Sequence, residues 1–334
     1  MVRASRSGEA RHLQLGFKAL PRELSSEAYA GAFATAAQYG EVITIQRPPP
    51  WQDFLPGGQI SKATEETTRF ETSLLKQYRG LKSFYAIDPT DSSVRRARIA
   101  NLPTSIDPRE GFDAKDLREA LIAYTTYIAK NYHPDYLAIG VEINMLYERN
   151  PRQHAAFVDL YREAYAQAKA ASPKTKVFPT FQLEDIEGTF DDLHSAHWEI
   201  LDLYRGAMDL LAVSTYPFVT GLRVAGDLRP DYFAALKKRW DGEVLIAETA
   251  YPSSPIEGEA VVGTEEDQAL YLNRLLDEAE RSGISTVIWL AALDPAFATT
   301  GPSAVFRDTG LRKSDGANKL AWSTWEEWAR RPLK

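Results

Sequence analysis

Two short apolar segments, each ending in a glutamate, have the clearest chemical content in this sequence. The first is 136–142, which ends in Glu142, and the second is 243–248, which ends in Glu248. A carboxylate at the point where a buried strand stops is costly to desolvate, so it usually serves a function. Two such carboxylates at the same end of one parallel barrel could together cleave a glycosidic bond.

The two glutamates are predicted to take different roles. A protonated carboxyl donates its proton to the leaving oxygen, while an ionised carboxylate attacks the anomeric carbon. Glu142 and Glu248 lie 248 − 142 = 106 residues apart, so only barrel closure brings them together. A reaction that retains configuration requires carboxyl groups roughly 5–5.5 Å apart. The alternative is that one or both glutamates are surface or ion-paired residues at strand ends.

Polar and aromatic residues near the ends of other predicted strands are candidates for holding a sugar. Aromatic rings stack on the C–H faces of sugars, and amide, hydroxyl and carboxylate groups hydrogen-bond sugar hydroxyls. The structural alternatives are core packing for the aromatic residues and solvated loop positions for the polar ones. The candidates are Arg47, Trp51, Asn144, Gln182, Glu184, Ser214, Tyr216, Tyr251 and Trp289.

Five of these candidates have a specific predicted role. Arg47, at the end of strand two, is expected to pair with the second glutamate and keep it ionised. Tyr216, after strand six, is placed where it can hydrogen-bond the same carboxylate. Trp289 is the expected floor for the sugar at the cleavage point, and Trp51 is a stacking surface for a neighbouring sugar. Glu184 is expected to hold the first glutamate through a polar network.

For several other ionisable residues, the sequence predicts a structural or surface role and no part in catalysis. Lys18 and Asp88 end predicted strands one and three, and the basic run 95–98 is interpreted as solvated surface. His194 and His197 are three residues apart, a spacing at which histidines can share a metal. No third ligand lies in a matching frame of the sequence, so we expect no metal site and no cofactor.

Eight apolar segments alternate with segments of helical periodicity. Most of the apolar segments are continuous runs, as in parallel strands that are covered on both faces. The predicted strands are 12–18, 41–47, 81–88, 136–141, 175–181, 209–215, 243–247 and 285–290. The predicted helices are 26–39, 62–78, 114–131, 152–171, 194–208, 231–240, 265–282 and 319–330.

Eight strands, each followed by a helix, predict an α/β fold with a single (β/α)8 TIM barrel. An open doubly wound sheet usually has a glycine-rich phosphate turn, and neither G-x-G-x-x-G nor a P-loop occurs here. We expect one catalytic domain over 1–334, with 1–11 as a flexible N-terminal segment. Segments 48–58 and 295–302 are rich in proline and glycine and are predicted as long loops at the rim where barrels build their sites.

Composition excludes several classes of function. The net charge of −7 argues against nucleic acid as the main ligand, because that affinity comes largely from Lys and Arg. The absence of cysteine excludes disulfides and thiolate chemistry. The sequence has neither a membrane-spanning apolar run nor the hydrophobic region of a signal peptide. We expect a monomer with a carbohydrate substrate, either cytoplasmic or secreted after removal of a leader.

The strand-end motifs resemble those of clan A glycoside hydrolases. IGVEIN at 139–144 and IAETAYP at 246–252 look like the acid/base and nucleophile strands of that clan. DLLAVSTYP at 209–217 is similar to strand six, and VIW at 287–289 to strand eight. The resemblance is closest to family 53, the endo-β-1,4-galactanases, with the β-mannanases of family 113 as second choice. It implies retaining hydrolysis of a β-glycoside, with Glu142 as acid/base and Glu248 as nucleophile.

One position departs from the clan pattern. Most clan A enzymes have asparagine directly before the acid/base, where it hydrogen-bonds the sugar 2-OH, and this chain has Val141. That hydrogen bond can contribute several kcal/mol in the transition state. Certain family 113 β-mannanases also lack the asparagine. The departure permits a sugar with another C2 configuration, a furanoside, or a 2-OH held from elsewhere.

Two other classes of function stay open at this point. A barrel of this kind can bind glycans without cleaving them, because barrels change function freely. A metal-dependent barrel hydrolase or lyase is the second alternative, against which the scarcity of histidines at strand ends argues. A serine hydrolase finds no support, since no G-x-S-x-G elbow occurs.

Overall fold

The computed structural model of the 334-residue chain describes residues 7–190 and 194–334. The strands are β1 (Gln14–Lys18), β2 (Val42–Arg47), β3 (Lys82–Ile87), β4 (Tyr136–Ile139), β5 (Lys176–Phe178), β6 (Thr180–Gln182), β7 (Leu211–Thr215), β8 (Val244–Thr249) and β9 (Thr286–Trp289). The α-helices are α1 (Ser26–Tyr39), α2 (Trp51–Phe54), α3 (Lys62–Gln77), α4 (Lys115–Tyr132), α5 (Asn144–Arg149), α6 (Pro151–Ala171), α7 (Leu183–Ile186), α8 (Glu265–Ser282) and α9 (Leu320–Arg330).

All the strands belong to one sheet with the order β5-β4-β3-β2-β1-β9-β8-β7-β6. The β1–β2, β1–β9, β3–β4, β4–β5 and β8–β9 pairs are parallel. The two strands at the ends of this order, β5 and β6, are separated in the chain by Pro179 alone, a residue with no N–H to donate to a ladder. They are the two halves of predicted strand five. The fold is therefore the predicted (β/α)8 barrel.

The chain divides into two compact units. The first consists of Met1–Thr44 and Val213–Lys334, and its core includes Phe17 of β1 packed on Trp325 of α9, with ring centroids 4.6 Å apart. The second is Ile45–Ala212, in which α4 and α6 pack together. The buried face of α4 repeats at helical spacing as predicted, with Leu117, Leu121, Tyr124 and Ile128.

The start of the described chain is anchored within the first unit. The Ser7 amide donates to the Arg330 carbonyl oxygen at 2.9 Å. The Arg11 side chain is buried and donates to both carboxylate oxygens of Glu41, at 2.8 and 3.0 Å. These contacts involve both ends of residues 7–11 of the predicted flexible segment 1–11, whose residues 1–6 lie outside the described part, and its flexibility stays a prediction.

Two predicted helices are replaced by shorter 3₁₀ segments. Predicted helix 194–208 contains Trp198–Leu203, and predicted helix 231–240 contains Ala234–Lys238. Neither segment has a side-chain N-cap, and Asp231 has a left-handed backbone with φ +58°, so a regular helix does not begin there. Over the ranges that the structure covers, no helix has the length and apolar character to cross a bilayer.

Candidate active site

Glu248 lies at an irregularity in β8. Ile246 is opposite Val287 of β9, but Thr249 is opposite Trp289, so β8 contains one more residue than its partner over this stretch. Such a bulge bends the strand and re-aims a side chain, and bulges are frequent next to active sites. The irregularity therefore determines where the Glu248 carboxylate points.

Both carboxylate oxygens of Glu248 have hydrogen-bond donors. Lys18 Nζ, at the end of β1, donates to Oε2 at 2.6 Å, and the Tyr216 hydroxyl donates to Oε1. The Glu248 side chain is 18% exposed. An adjacent ammonium and a donated hydroxyl hold the carboxylate in one orientation.

The backbone at Glu142 is in an uncommon conformation. Glu142 has φ +50°, and Gly140, two residues earlier, has φ +92°. A Cβ on Gly140 would lie 2.7 Å from a ring carbon of Phe157, so only glycine fits there. The Glu142 amide donates to Thr180 Oγ1 at 2.9 Å. A non-glycine residue held in this left-handed region costs about 1–3 kcal/mol, and such strain clusters at functional sites.

The Glu142 carboxylate is bound by a buried arginine. Arg96 Nε donates to Glu142 Oε2 at 2.7 Å, and Arg96 Nη1 donates to Asp88 Oδ1 at 2.6 Å. Gln46 Nε2 donates to the other oxygen of Asp88 at 2.9 Å. Arg96 is 3% exposed. We call Asp88, Arg96 and Glu142 the carboxylate–guanidinium triad.

The charges of the triad do not balance when both carboxyls are ionised. Burial raises the pKa of Asp88; Arg96 and the bond from Gln46 oppose that rise, and the charge of Glu142 adds to it. Burial acts to lower the pKa of Arg96, but the Asp88 and Glu142 carboxylates raise it by more. One guanidinium between two carboxylates leaves a net charge of −1, which a single proton neutralises. The triad is thus suited to hold one exchangeable proton.

The charged residues that contact the two glutamates, Lys18 and Arg96, were not identified as such from the sequence. The interpretation of 95–98 as solvated surface is wrong for Arg96, although Arg98 is exposed and pairs with Asp91. Arg95 and Arg96 have φ of +49° and +61°, and this turn directs Arg96 inward. Lys18 and Asp88 have contacts with the site instead of purely structural roles; their position at strand ends was the available signal.

The predicted ion pair between Arg47 and Glu248 is wrong. The Arg47 guanidinium pairs with buried Glu71 of α3, and the cation on Glu248 is Lys18. Successive side chains of a strand point to opposite faces. Gln46 reaches Asp88, so Arg47 points to the other face, where α3 supplies its partner.

The three predicted aromatic sugar contacts are also wrong. Trp51, Tyr251 and Trp289 are at most 3% exposed, so none presents a ring face to a sugar. Each is fixed in the core by a donated hydrogen bond, because a buried indole N–H or phenol O–H needs an acceptor. The acceptors are Ala100 O at 2.8 Å, Asp267 Oδ2 at 2.7 Å and Thr309 O at 2.9 Å, respectively.

The predicted polar sugar contacts after β4 and β6 are internal as well. Asn144 is fully buried and donates from Nδ2 to Asp185 Oδ2 at 2.7 Å. Gln182 Oε1 accepts from the Asp185 amide at 2.5 Å, and Gln182 Nε2 donates to Glu184. Gln182 and Glu184 are at most 2% exposed. These side chains organise the turn into α7 and do not face a ligand.

Tyr216 forms the predicted hydrogen bond to Glu248, whereas Ser214 is buried in β7. The ring of Tyr216 packs edge-on against Phe306, with centroids 5.2 Å apart, and against Phe218 at 6.0 Å. The hydroxyl is therefore held in place by the packing of its ring.

Replacing Tyr216 by Phe removes this hydroxyl and keeps the ring. A hydrogen bond to a charged group contributes about 1.5–3 kcal/mol, so the glycosidase activity proposed below should fall roughly 10–100-fold in kcat/KM on an aryl glycoside, with the melting temperature little changed. Tyr165→Phe is the matched control, since that hydroxyl donates to Asp209 in the other unit. Equal activity of Tyr216→Phe and wild type would contradict a role for the contact.

A second polar cluster contains the two histidines of the sequence analysis. Glu148 of α5 places a carboxylate oxygen beside His194 and His197, and the three candidate ligand atoms lie within 4.8 Å of one another. A third candidate ligand therefore lies beside these histidines in the fold, although none lies in a matching frame of the sequence. Because more than 40 residues separate Glu148 from His194 in the sequence, no motif of fixed spacing predicts that they lie close together.

Comparisons with known proteins agree with the fold. No protein-family model matches the sequence, and no curated protein matches it. Among solved structures, the exo-β-1,4-mannosidase of Opitutaceae bacterium strain TAV5 has a TM-score of 0.71 at 17% identity, over 99% of this chain and 62% of that one. GH5_18 of Streptomyces cattleya, an alanine variant solved in complex with Manβ1-4GlcNAc, has 0.70 at 14%, over 95% and 79%. Xylanase 10B of Thermotoga maritima has 0.64 at 12%, over 95% of both chains.

These neighbours share the barrel of clan A glycoside hydrolases. This chain spans about three fifths of the length of the first of them. With identities of 12–17%, the likeness establishes the fold and leaves activity to be argued from the residues of this chain. The finer resemblance to family 53 or family 113 stays a prediction.

Proposed function

We propose that this protein is a retaining β-glycoside hydrolase of oligo- or polysaccharides, with Glu248 as nucleophile and Glu142 as acid/base. One observation carries the proposal. Both glutamates lie at the carboxyl ends of strands of one parallel sheet, are fixed by polar partners, and keep 18% and 13% of their side-chain surface accessible. In barrels of this kind, active sites are built at the carboxyl ends of the strands.

In the first step, a Glu248 oxygen forms a bond to the anomeric carbon while the glycosidic C–O bond breaks. The electron pair of that bond leaves with the aglycone oxygen, which takes a proton from Glu142. Lys18 and Tyr216 hold the attacking carboxylate in its orientation. In the second step, Glu142 removes a proton from water, the water oxygen forms a bond to the anomeric carbon, and the bond from that carbon to Glu248 breaks and releases the carboxylate.

The carboxylate–guanidinium triad supplies the proton for the first step. When the proton is on Glu142, the Arg96 charge remains balanced by Asp88, so no buried charge is left without a counterion. When Glu142 is ionised, the triad carries one excess negative charge, and this charge favours uptake of a proton from water. Asp88 is thus a positioning residue that acts through Arg96.

Asp88→Asn tests this role of the triad. Burial and the Glu142 charge raise the pKa of Asp88, which means that the two carboxyls repel each other when both are ionised. In the variant, Arg96 stabilises the Glu142 carboxylate alone, so the protonated form that the first step needs is less populated. We expect the alkaline limb of the kcat/KM pH profile to move to lower pH, with the acidic limb unchanged.

Asp91→Asn is the matched control, because Asp91 precedes the same turn but pairs with exposed Arg98. Its pH profile should overlay that of the wild type. An alkaline limb in Asp88→Asn that stays in place or moves to higher pH would contradict the proposed proton storage.

The experiment that tests the function is a screen of aryl β-glycosides and polysaccharides with wild type, Glu142→Ala and Glu248→Ala. β-Mannosides come first, for two reasons. The fold neighbours include a named exo-β-1,4-mannosidase and a complex with Manβ1-4GlcNAc. Val141 also has no group to bond an equatorial 2-OH, and mannose has the other configuration at C2.

The two variants should fail in different ways. Glu142→Ala should retain more turnover on substrates with an activated phenol than on those with a poor leaving group, because an activated phenol leaves without a proton. Glu248→Ala should lose turnover on both. Hydrolysis that is equal in wild type and both variants, on every substrate cleaved, would refute the proposal.

Non-catalytic glycan binding is a second candidate, and one observation favours it. Arg96 bonds Glu142 at 2.7 Å, which stabilises the ionised form that cannot protonate a leaving group. Under this alternative, an oligosaccharide binds and is recovered intact after long incubation, and Asp88→Asn has no pH phenotype.

A further inference from the structure

Glu148, His194 and His197 form a cluster whose geometry points to a ligand. His194 Nδ1 and His197 Nδ1 are in hydrogen-bond contact at 2.9 Å, and Glu148 Oε1 is 3.8 Å from His197 Nδ1. His194 Nδ1 also lies 2.9 Å from the Ser195 carbonyl oxygen, a contact that a metal on this nitrogen would replace. Glu148 lies on α5, whereas the histidines lie in the segment that follows α7.

These separations suit coordination by a single ion. Zinc–ligand bonds of about 2.0–2.2 Å, at angles between 90° and tetrahedral, place neighbouring ligand atoms about 2.8–3.6 Å apart. The 2.9 Å separation lies within that range, and the 3.8 Å separation is slightly longer, so a small shift of the Glu148 carboxylate brings it into range. Two imidazoles and one carboxylate are also a known three-ligand set for zinc, with water in the fourth position.

A second observation supports a metal independently of these distances. His197 is 4% exposed, and among residues 7–190 and 194–334 no group hydrogen-bonds Nε2 of either histidine. Both Nε2 atoms instead face the fully buried Asp185 carboxylate, at 3.6 Å from His194 and 3.9 Å from His197. Metal-ligating histidines usually direct their other ring N–H at such a carboxylate.

The tautomers explain the arrangement. A metal bound by both Nδ1 atoms requires the ring protons on the two Nε2 atoms, where Asp185 is the acceptor. The Asp185 carboxylate is held in place by hydrogen bonds from Asn144 Nδ2 at 2.7 Å and Arg149 Nη1 at 2.9 Å. This accounts for buried Asn144, which does not contact substrate as the sequence had suggested.

We propose that Glu148, His194 and His197 bind one divalent transition-metal ion of the zinc type, with Asp185 as the carboxylate behind both histidines. The ion links α5 to the segment 194–197. Helix α5 follows Glu142 directly, and the Met145 amide donates to the Glu142 carbonyl oxygen at 3.1 Å. The site therefore braces the helix next to Glu142 and is separate from the chemistry proposed for that residue.

The test is zinc binding to untagged protein that has been treated with a chelator and freed of it. Calorimetry with Zn²⁺ should give one ion per chain and a rise in melting temperature of several degrees. His194→Ala and His197→Ala should weaken binding ~10-fold or more, and Asp185→Asn roughly 10–100-fold. His12→Ala and His133→Ala are matched controls, because both of those histidines are exposed.

Wild type offers a readout that does not depend on the folding of any variant. Nitrogen-15 NMR of the histidine side chains during a Zn²⁺ titration should shift His194 and His197 and leave His12 and His133 in place. No binding by wild type at micromolar Zn²⁺, or binding that survives in folded His194→Ala and His197→Ala, would overturn the proposal. None of these results depends on glycosidase activity.

Discussion

Glu248→Ala is expected to abolish glycoside turnover and to leave the protein folded. Loss of a covalent nucleophile removes the only route to the glycosyl–enzyme, and kcat should fall by a factor on the order of 10⁴–10⁶. The free energy of unfolding should change by no more than about 1 kcal/mol, because Glu248 and its partner Lys18 are both partly accessible and water solvates the lysine left behind. Steady-state kinetics and thermal unfolding measure the two effects.

Glu243→Ala is the matched control for this substitution. Glu243 belongs to the same apolar segment but precedes β8, where it accepts from the Ser285 hydroxyl at 2.9 Å. That variant should retain wild-type kcat. A small anion such as azide should restore part of the activity of Glu248→Ala with activated substrates, by attack from the space that the carboxylate leaves. Wild-type kcat in Glu248→Ala would rule out the nucleophile assignment.

Arg96→Gln is expected to have the largest effect on stability. The guanidinium is buried between Asp88 and Glu142, and its removal leaves Asp88 without its counterion. Breaking a buried ion pair by removal of one partner costs about 3–5 kcal/mol. We expect denaturant unfolding to show a loss of this size, together with a fall in kcat/KM, because Glu142 loses the group that orients it.

Two further variants separate charge from geometry in this prediction. Arg98→Gln, at an exposed arginine two residues away, should change stability by less than about 0.5 kcal/mol. Arg96→Lys keeps the positive charge but not the planar fork that reaches two carboxylates. It should recover part of the stability and little of the activity. Stability of Arg96→Gln equal to wild type would show that the triad contributes nothing to the folded state.

The order of strands and most helices followed from local patterns in the sequence. Continuous apolar runs predicted the barrel strands to within two residues at most ends, because strands covered on both faces leave no polar alternation. Helices α1 and α8 match their predicted bounds, since serine and threonine N-caps mark their starts. Segments without such caps, 194–208 and 231–240, were overpredicted.

The residues of the candidate site likewise fall into those that local patterns predicted and those that depend on tertiary contacts. The positions of Glu142 and Glu248 at strand ends followed from the apolar runs before them. The inward turn of Arg96 did not, because it depends on two residues with positive φ and on a distant carboxylate. The predicted ion pair of Arg47 with Glu248 was wrong because the face to which a strand residue points changes when the strand shifts by one residue.

The aromatic predictions failed for a different reason. Tryptophan and tyrosine suit both a sugar platform and a hydrophobic core, and their hydrogen-bond partners come from distant parts of the chain. Trp289 bonds the Thr309 carbonyl oxygen, and Tyr251 bonds Asp267 of α8. The contact of Glu148 with the two histidines likewise requires the tertiary fold, since more than 40 residues separate them.

Trapping the covalent intermediate tests the central claim most directly. A 2-deoxy-2-fluoro glycoside slows both steps, because both have oxocarbenium-like transition states, and an activated leaving group restores formation of the ester alone, so the glycosyl–enzyme accumulates. We expect intact-mass spectrometry to show one added glycosyl group per chain and peptide analysis to place it on Glu248. A label on another residue, or hydrolysis of the parent glycoside with inverted configuration and no label, would contradict the assignment of this barrel as a retaining glycosidase with Glu248 as its nucleophile.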